Sequence, residues 1–170
     1  PVPLPDGRFA MTAQAGATLA RLSSAAADAS LTGLEFAAGI PGTVGGGVVI
    51  NAGAYGGDMQ SVTEGVTCVT FGGEFRHYTR DEMDFSYRHS RLCAPGAEPE
   101  IVLSATVALA QGDPDTIRVT MREFAARRRE KQPITLPSCG STFKRPQGQF
   151  AGTLIDQCGL KGLRIGGASV

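Results

Sequence analysis

An arginine set between a tyrosine and a histidine, in DFSYRHS (84–90), is the first residue whose type invites a chemical reading. A guanidinium suits a carboxylate or phosphate because its planar fork presents paired N–H donors. By type alone, an ordinary surface ion-pair partner, which is worth little, is the commoner case for Arg88. The stretch SCGSTFKRPQGQFAG (138–152) gathers Ser138, Cys139, Ser141, Lys144 and Arg145. Ser141 follows Gly140, so its backbone can turn sharply, but Phe143 stands where a nucleophile elbow needs glycine. Cys139 with His77 or His89 could form a thiol nucleophile pair. Nothing in the spacing brings either histidine to it, and a small buried cysteine is the commoner case.

A third stretch, GIPGTVGGGVVINAGAYGG (39–57), has eight glycines in nineteen residues. It fits neither phosphate-loop pattern. Gly45 and Gly47 suit a dinucleotide fingerprint, but Ile50 holds its third glycine position, and no Lys-Ser or Lys-Thr follows as in a Walker loop. Glycines still let a backbone approach a ligand closely, and amides at a helix start favour an anion. A tight structural loop between packed elements explains the composition equally well. The cationic run at 127–131 could hold a phosphate, although such runs are most often solvated helix ends.

Around these stretches the hydrophobic pattern predicts mixed elements. A short strand is expected at 8–14 and a helix at 17–29, with Leu19, Leu22 and Ala26 as its stripe. Leu34 and Phe36 form an apolar anchor. A helical turn or two at 44–50 must overcome about 1 kcal/mol per glycine. A β-rich run at 61–71, a Gly72-Gly73 turn and a return at 74–78 predict a hairpin. Thr79 can cap a short helical turn at 80–83 with Glu82 reaching back. A strong strand is expected at 101–109. Asp113-Pro114 then opens a helix with Ile117, Met121 and Phe124 as its buried stripe and cations in its last turn. Gln132-Pro133 ends that helix. PITLPS (133–138) reads as a linker, dividing the chain into domains 1–131 and 132–170. A last helix is expected at 150–158, with Gly159 as its C-terminal cap. This order predicts an α+β fold, an antiparallel sheet with flanking helices, rather than alternating βαβ units.

The bulk numbers narrow the class of function. The chain has 170 residues, and its 16 basic and 16 acidic residues balance, which argues against a nucleic-acid partner. No apolar run is long enough for a membrane-spanning helix, and PVPLPDGR lacks the regions of a signal peptide. The four cysteines form no CxxC pair, which argues against zinc and against a disulfide framework. Reduced thiols and a cytoplasmic location are the expectation.

Taken together, GLEFAAGIPGTVGGGVVINAGAYGGDM, DFSYRHSRL, REKQP and PSCGSTFKRPQGQFAGTLIDQCGLKGLRIGGASV resemble, in the same order, the UDP-N-acetylenolpyruvoylglucosamine reductase family, also called UDP-N-acetylmuramate dehydrogenase. The resemblance runs from about residue 15 to 170 and is closest to the family's shorter form. It implies FAD as cofactor and NADPH as reductant. It also implies UDP-N-acetylglucosamine enolpyruvate as substrate, reduced to UDP-N-acetylmuramate for peptidoglycan.

By the same resemblance, Arg88 stabilises charge on the substrate carboxylate and Ser141 donates a proton. Gly42, Thr43, Val44, Gly45, Gly46, Asn51 and Gly53 lie against FAD. Tyr55, Tyr87 and Lys131 line the substrate side. Arg145 stands where many members have asparagine, which could alter diphosphate contacts. Domain 1–131 would then be the second FAD-binding subdomain and 132–170 the start of the substrate domain. The family's first FAD subdomain would precede Pro1, and a catalytic glutamate would lie beyond Val170. A chain of this extent is expected to bind FAD weakly and turn over little. A flavin-free scaffold and a different oxidoreductase on the same FAD fold stand as alternatives.

Overall fold

The computed structural model describes residues 1–132, 136–137 and 140–170. In chain order the elements begin with β1 (Val2–Pro3), β2 (Phe9–Gln14), α1 (Leu19–Asp28), β3 (Leu31–Thr32) and α2 (Val44–Val49). They continue with β4 (Gly53–Ala54), β5 (Gly57–Asp58), α3 (Met59–Val62), β6 (Thr63–Thr70), β7 (Phe75–Thr79) and β8 (Glu100–Gln111). Last come α4 (Pro114–Lys131), α5 (Ala151–Gln157), β9 (Arg164–Ile165) and β10 (Ala168–Ser169). The residues form two compact units, Pro1–Leu136 and Pro137–Val170.

The first unit is built on a curled antiparallel sheet in the order β1-β2-β8-β6-β7, with β3 paired to the far end of β8. Every pairing in it is antiparallel, as the α+β reading requires. β8 is central because its 12 residues pair with both β2 and β6 while burying Val102, Ala105, Val107 and Leu109. The expected stripe of α1 is buried on this sheet, with Leu19, Leu22 and Ala26 at most 5% exposed. Thr18 caps α1 by accepting from the Arg21 amide at 3.2 Å. The Ser23 hydroxyl, also buried, donates to Leu34 O at 2.8 Å, which ties α1 to the turn at Glu35–Ala37.

Three local expectations need correction. Val62 belongs to α3 rather than to the following strand, because Asp58 caps that helix by accepting from the Ser61 amide. Thr79 and Glu82 do exchange reciprocal bonds, yet 80–84 closes only as a turn. Those donors from Thr79 hold the Glu82 carboxyl below its ordinary range. On α4 only Ile117 is fully buried, while Met121 and Phe124 are half-buried, because the later turns of α4 face a loop rather than the sheet. The N-cap of α4 is as expected: Asp113 accepts from the Thr116 amide at 2.8 Å.

A buried polar group sits at the start of β8. The Glu100 side chain is 4% exposed and accepts from Tyr78 OH at 2.7 Å and from Arg76 at 3.0 Å. Burial first, and the Glu100 carboxylate second, push the Cys68 thiol up to about 11. An unfolded chain releases that proton from about 9.0, so above this pH deprotonation favours unfolding. The stabilisation is therefore complete below pH 9 and lost as pH rises toward 11. We expect thermal scans between pH 8 and 11 to show a steeper fall for the parent chain than for Cys68→Val. Parallel curves would mean that Cys68 does not titrate in this range.

The second unit carries α5, ended by Gly159 at φ +66°, and the β9–β10 hairpin. The hairpin is closed by Gly162 N to Val170 O at 3.0 Å and Val170 N to Leu163 O at 2.9 Å. Its described residues are exposed or half-buried throughout. Cys68, Cys93 and Cys158 are free thiols, whereas Cys139 and most of the PITLPS linker lie outside the described residues. Among the described residues no helix is long and apolar enough to cross a membrane, and no metal-ligating cluster occurs.

Candidate functional site

The glycines of 39–57 separate into two groups once the space around each is measured. A Cβ on Gly45 would come 2.8 Å from Ala15 Cβ, and one on Gly47 would meet Leu19 at 3.1 Å. A Cβ on Gly53 would meet Gly57 O at 2.6 Å, and one on Gly57 the Phe36 ring at 2.6 Å. These four are glycine because the protein packs against itself there. Gly42 has nothing within 4 Å, and Gly46 only Thr43 Oγ1 at 3.5 Å; both are exposed. Helix propensity gives no reason for glycine at Gly46. The open face of α2 and its leading loop is therefore where a flat ligand can lie on bare backbone.

The first amides of α2 are not left for an anion. Val44 N donates to Ala17 O at 2.8 Å, Gly45 N to Ala15 O at 3.0 Å and Gly46 N to Thr43 Oγ1 at 3.3 Å. The helix-start reading of the sequence is corrected here: these donors anchor α2 to the end of β2. Thr43 acts as N-cap, and Val44 is fully buried beneath it.

Backbone conformation marks the neighbouring residues. Five described non-glycine residues have positive φ, and three of them are Asn51 (44°), Tyr55 (53°) and Arg88 (54°). Such conformations cost of order 1–3 kcal/mol and gather at functional sites. Asn51, 1% exposed, is the hub. Its amide nitrogen donates to Ser86 O at 2.9 Å and Asp58 Oδ2 at 3.3 Å, and its amide oxygen accepts from Gln60 N at 2.8 Å. These bonds join α2, β5, α3 and the DFSYRHS turn.

Arg88 closes the same constellation. Its guanidinium donates to Asn51 O at 3.2 Å and to Gly53 O, using two of its five N–H groups. It also lies 5.0 Å from the Tyr87 ring centre. The arginine is half-buried and held in a fixed pose, leaving donors for a carboxylate. Behind it, the buried Ser90 hydroxyl donates to Val49 O at 2.6 Å and caps the C-terminal end of α2.

Tyr55 and Gly56, both at positive φ, form the two-residue loop between β4 and β5, the pattern of a type I′ turn. A tyrosine at the first position of such a turn is an outlier. Its ring stacks on Phe124 of α4, centroids 4.4 Å apart and 13° between planes. Tyr87 is 55% exposed, and Lys131 is exposed at the end of α4. In the second unit Ser141 is exposed and follows Gly140 at φ +73°. Arg145 lies 4.0 Å over the Phe150 ring and donates to Gln149 O at 3.1 Å.

The structure thus brings Arg88, Asn51 and Gly53 into direct contact, with Gly42 to Gly46 on the adjoining helix and loop. Sequence reasoning missed Ser86, Asp58, Ser90 and Phe124. The Asp58 cap was legible from its spacing to Ser61; the other three act through contacts distant in sequence.

Comparison with known proteins matches two stretches of the chain. A family model described as "FAD binding domain" matches residues 4–79. One described as "UDP-N-acetylenolpyruvoylglucosamine reductase, C-terminal domain" matches 132–170. A UDP-N-acetylenolpyruvoylglucosamine reductase from Lactobacillus johnsonii is 54% identical over 93% of this chain and 52% of its own length. One from Agathobacter rectalis is 53% identical over 97% of this chain and 52% of its own length. The crystal structure of the Thermus caldophilus reductase is similar with TM-score 0.82 at 38% identity, covering 94% of this chain and 57% of that one. The chain spans about half the length of the curated relatives it matches.

Proposed function

Because nearly all of this chain corresponds, in sequence and fold, to about half of a UDP-N-acetylenolpyruvoylglucosamine reductase, we propose that it forms one wall of the flavin and substrate site of such an enzyme. The reaction is reduction of UDP-N-acetylglucosamine enolpyruvate to UDP-N-acetylmuramate in the cytoplasm, for peptidoglycan. The observation that carries this reading is the open glycine face at Gly42 and Gly46, on the helix and leading loop that run into Asn51, whose carbonyl holds Arg88. That cradle, which a Cβ would fill, fits a flat ring system such as an isoalloxazine. When bound, FAD supplies a hydride drawn from NADPH.

The chain's own residues then have distinct tasks. Thr43, Val44 and Gly45 hold α2 in place, while Asn51 and Gly53 hold Arg88. Hydride addition to a double bond conjugated with a carboxylate drives charge into that carboxylate, and Arg88 stabilises it there. Ser141 supplies the proton for the carbon that becomes the new stereocentre. A hydroxyl is a weak acid, but the carbanion-like carbon is a strong base. Tyr55, Tyr87, Lys131 and Arg145 hold the nucleotide-sugar substrate. The division of roles between 1–131 and 132–170, flavin side and substrate side, belongs to the same proposal.

A paired substitution tests the flavin wall. In a reductase carrying this segment, Gly46→Ala keeps or raises the unfolding temperature, because alanine gains up to about 1 kcal/mol in a helix. It weakens FAD binding by roughly tenfold, equivalent to about 1.4 kcal/mol. Gly45→Ala instead lowers the unfolding temperature by forcing Ala15 away. Flavin titration together with thermal scans separates the two. Unchanged FAD affinity in Gly46→Ala removes this helix from the flavin site.

A further inference from the structure

The helix α4 touches the 39–57 segment near both of its ends. Phe124 and Arg128 are four residues apart on α4 and so share one face. The Tyr55 ring stacks on Phe124, and Arg127 lies 6.0 Å from the centre of the same phenyl ring. At the other end a Cβ on Gly39 would come 2.9 Å from Arg128 Nε, so the guanidinium lies directly on that glycine. Arg128 Nε is buried and has no hydrogen-bond partner among the described residues, while its NH1 donates to Gln132 Oε1 at 3.2 Å. Arg128 is therefore seated on Gly39 by packing, as Tyr55 is seated on Phe124.

Neither end is self-supporting. Tyr55 holds φ +53° in a two-residue turn, a conformation that bulky side chains avoid, and Gly56 follows at +87°. Such strain persists only where the surroundings over-determine it. The Phe124 face does so for Tyr55, which stays 39% exposed with the stack in place.

We propose that Phe124 is a positioning residue for substrate: through Tyr55 it sets the shape of the β4–β5 turn, while Arg128 seats the opposite end of the same segment. This rests on reading 39–57 as a ligand wall. The β4–β5 turn is then a part whose order is supplied by α4 rather than by its own sequence.

Amide hydrogen exchange of 53–58 and steady-state kinetics test this in a reductase carrying the segment, with Phe124→Leu, Phe124→Tyr, Tyr55→Ala and the double variant Tyr55→Ala/Phe124→Leu. Leucine keeps apolar bulk without a flat face, which guards against simple unfolding. In Phe124→Leu the 53–58 amides are expected to exchange about tenfold faster, with those of β6 and β8 unchanged. KM is expected to rise about tenfold, with kcat within about threefold. Phe124→Tyr restores both. The double variant has a KM no worse than the poorer single variant, as expected when two residues act as one unit. Wild-type exchange and KM in Phe124→Leu, or multiplied KM effects in the double variant, overturn the proposal. A parent protein that shows no flavin-dependent reduction, yet whose turn still loosens in Phe124→Leu, overturns the functional reading instead and leaves the mechanical coupling standing.

Discussion

Arg88→Ala, in a reductase carrying this segment, leaves the reduction of flavin by NADPH within about twofold but slows reduction of the enol ether by roughly 10²–10³. That is the loss found when one preorganised donor is removed from a developing charge. The reason lies in how the guanidinium is held. Asn51 O and Gly53 O fix it from one side and Tyr87 lies near its face, so its remaining donors need no reorganisation when charge appears. Lysine at this position is expected to recover little, because a single ammonium cannot bridge two carbonyls and a carboxylate with the same geometry. Alanine inherits the same positive φ that Arg88 already bears, so backbone strain is not the difference between the two. Rapid mixing resolves the two half-reactions. Equal losses in both would reduce Arg88 to a structural clamp. Ser141→Ala shares the predicted pattern, reduced normally by NADPH and failing with substrate, and an unchanged second half-reaction would remove Ser141 from the acid role.

The second large effect is on stability. Asn51→Ala is expected to cost roughly 3 kcal/mol. It strips partners from Ser86 O and Gln60 N, whose bonds to Asn51 are part-buried, at about 1 kcal/mol for each. It also places alanine at φ +44°, which asparagine tolerates at lower cost. For a chain of this size that corresponds to a fall of about 10 °C in unfolding temperature. Asn51→Gly separates the causes, since glycine removes the side chain but accepts the backbone. If glycine restores most of the loss, conformation rather than bonding dominates at this position. Chemical denaturation of all three forms decides it.

The contrast between what the sequence revealed and what it concealed follows the range of the forces. Asp113-Pro114, the stripe of α1 and the β6–β7 hairpin are local patterns, and each appears close to where the pattern places it. The resemblance pointed to Arg88 and Asn51 as site residues, and their direct contact became visible only in three dimensions. Glycines 45 and 46 are neighbours with opposite reasons for being glycine, because only Gly45 faces Ala15. No local rule could separate them. Phe124 falls at a helical spacing from Ile117 and so reads as core, yet its partner is a strained turn some seventy residues earlier in the chain. The β4–β5 hairpin escaped notice because Tyr-Gly is not among the pairs that usually signal a type I′ turn.

The anchoring of α2 to the end of β2 bears on the order of assembly. Gly45 N bonds Ala15 O, and Ala15 N in turn bonds Leu103 O of β8. The glycine helix therefore has no firm seat until a strand made much later in synthesis has closed against β2. Such long-range closure is slow relative to local helix formation. During translation the glycine-rich segment must emerge from the ribosome, wait unsupported, and take its shape in one of the last steps of folding. A glycine-rich helix with little intrinsic propensity suits that schedule, since it does not form early on its own and present a face to a wrong partner.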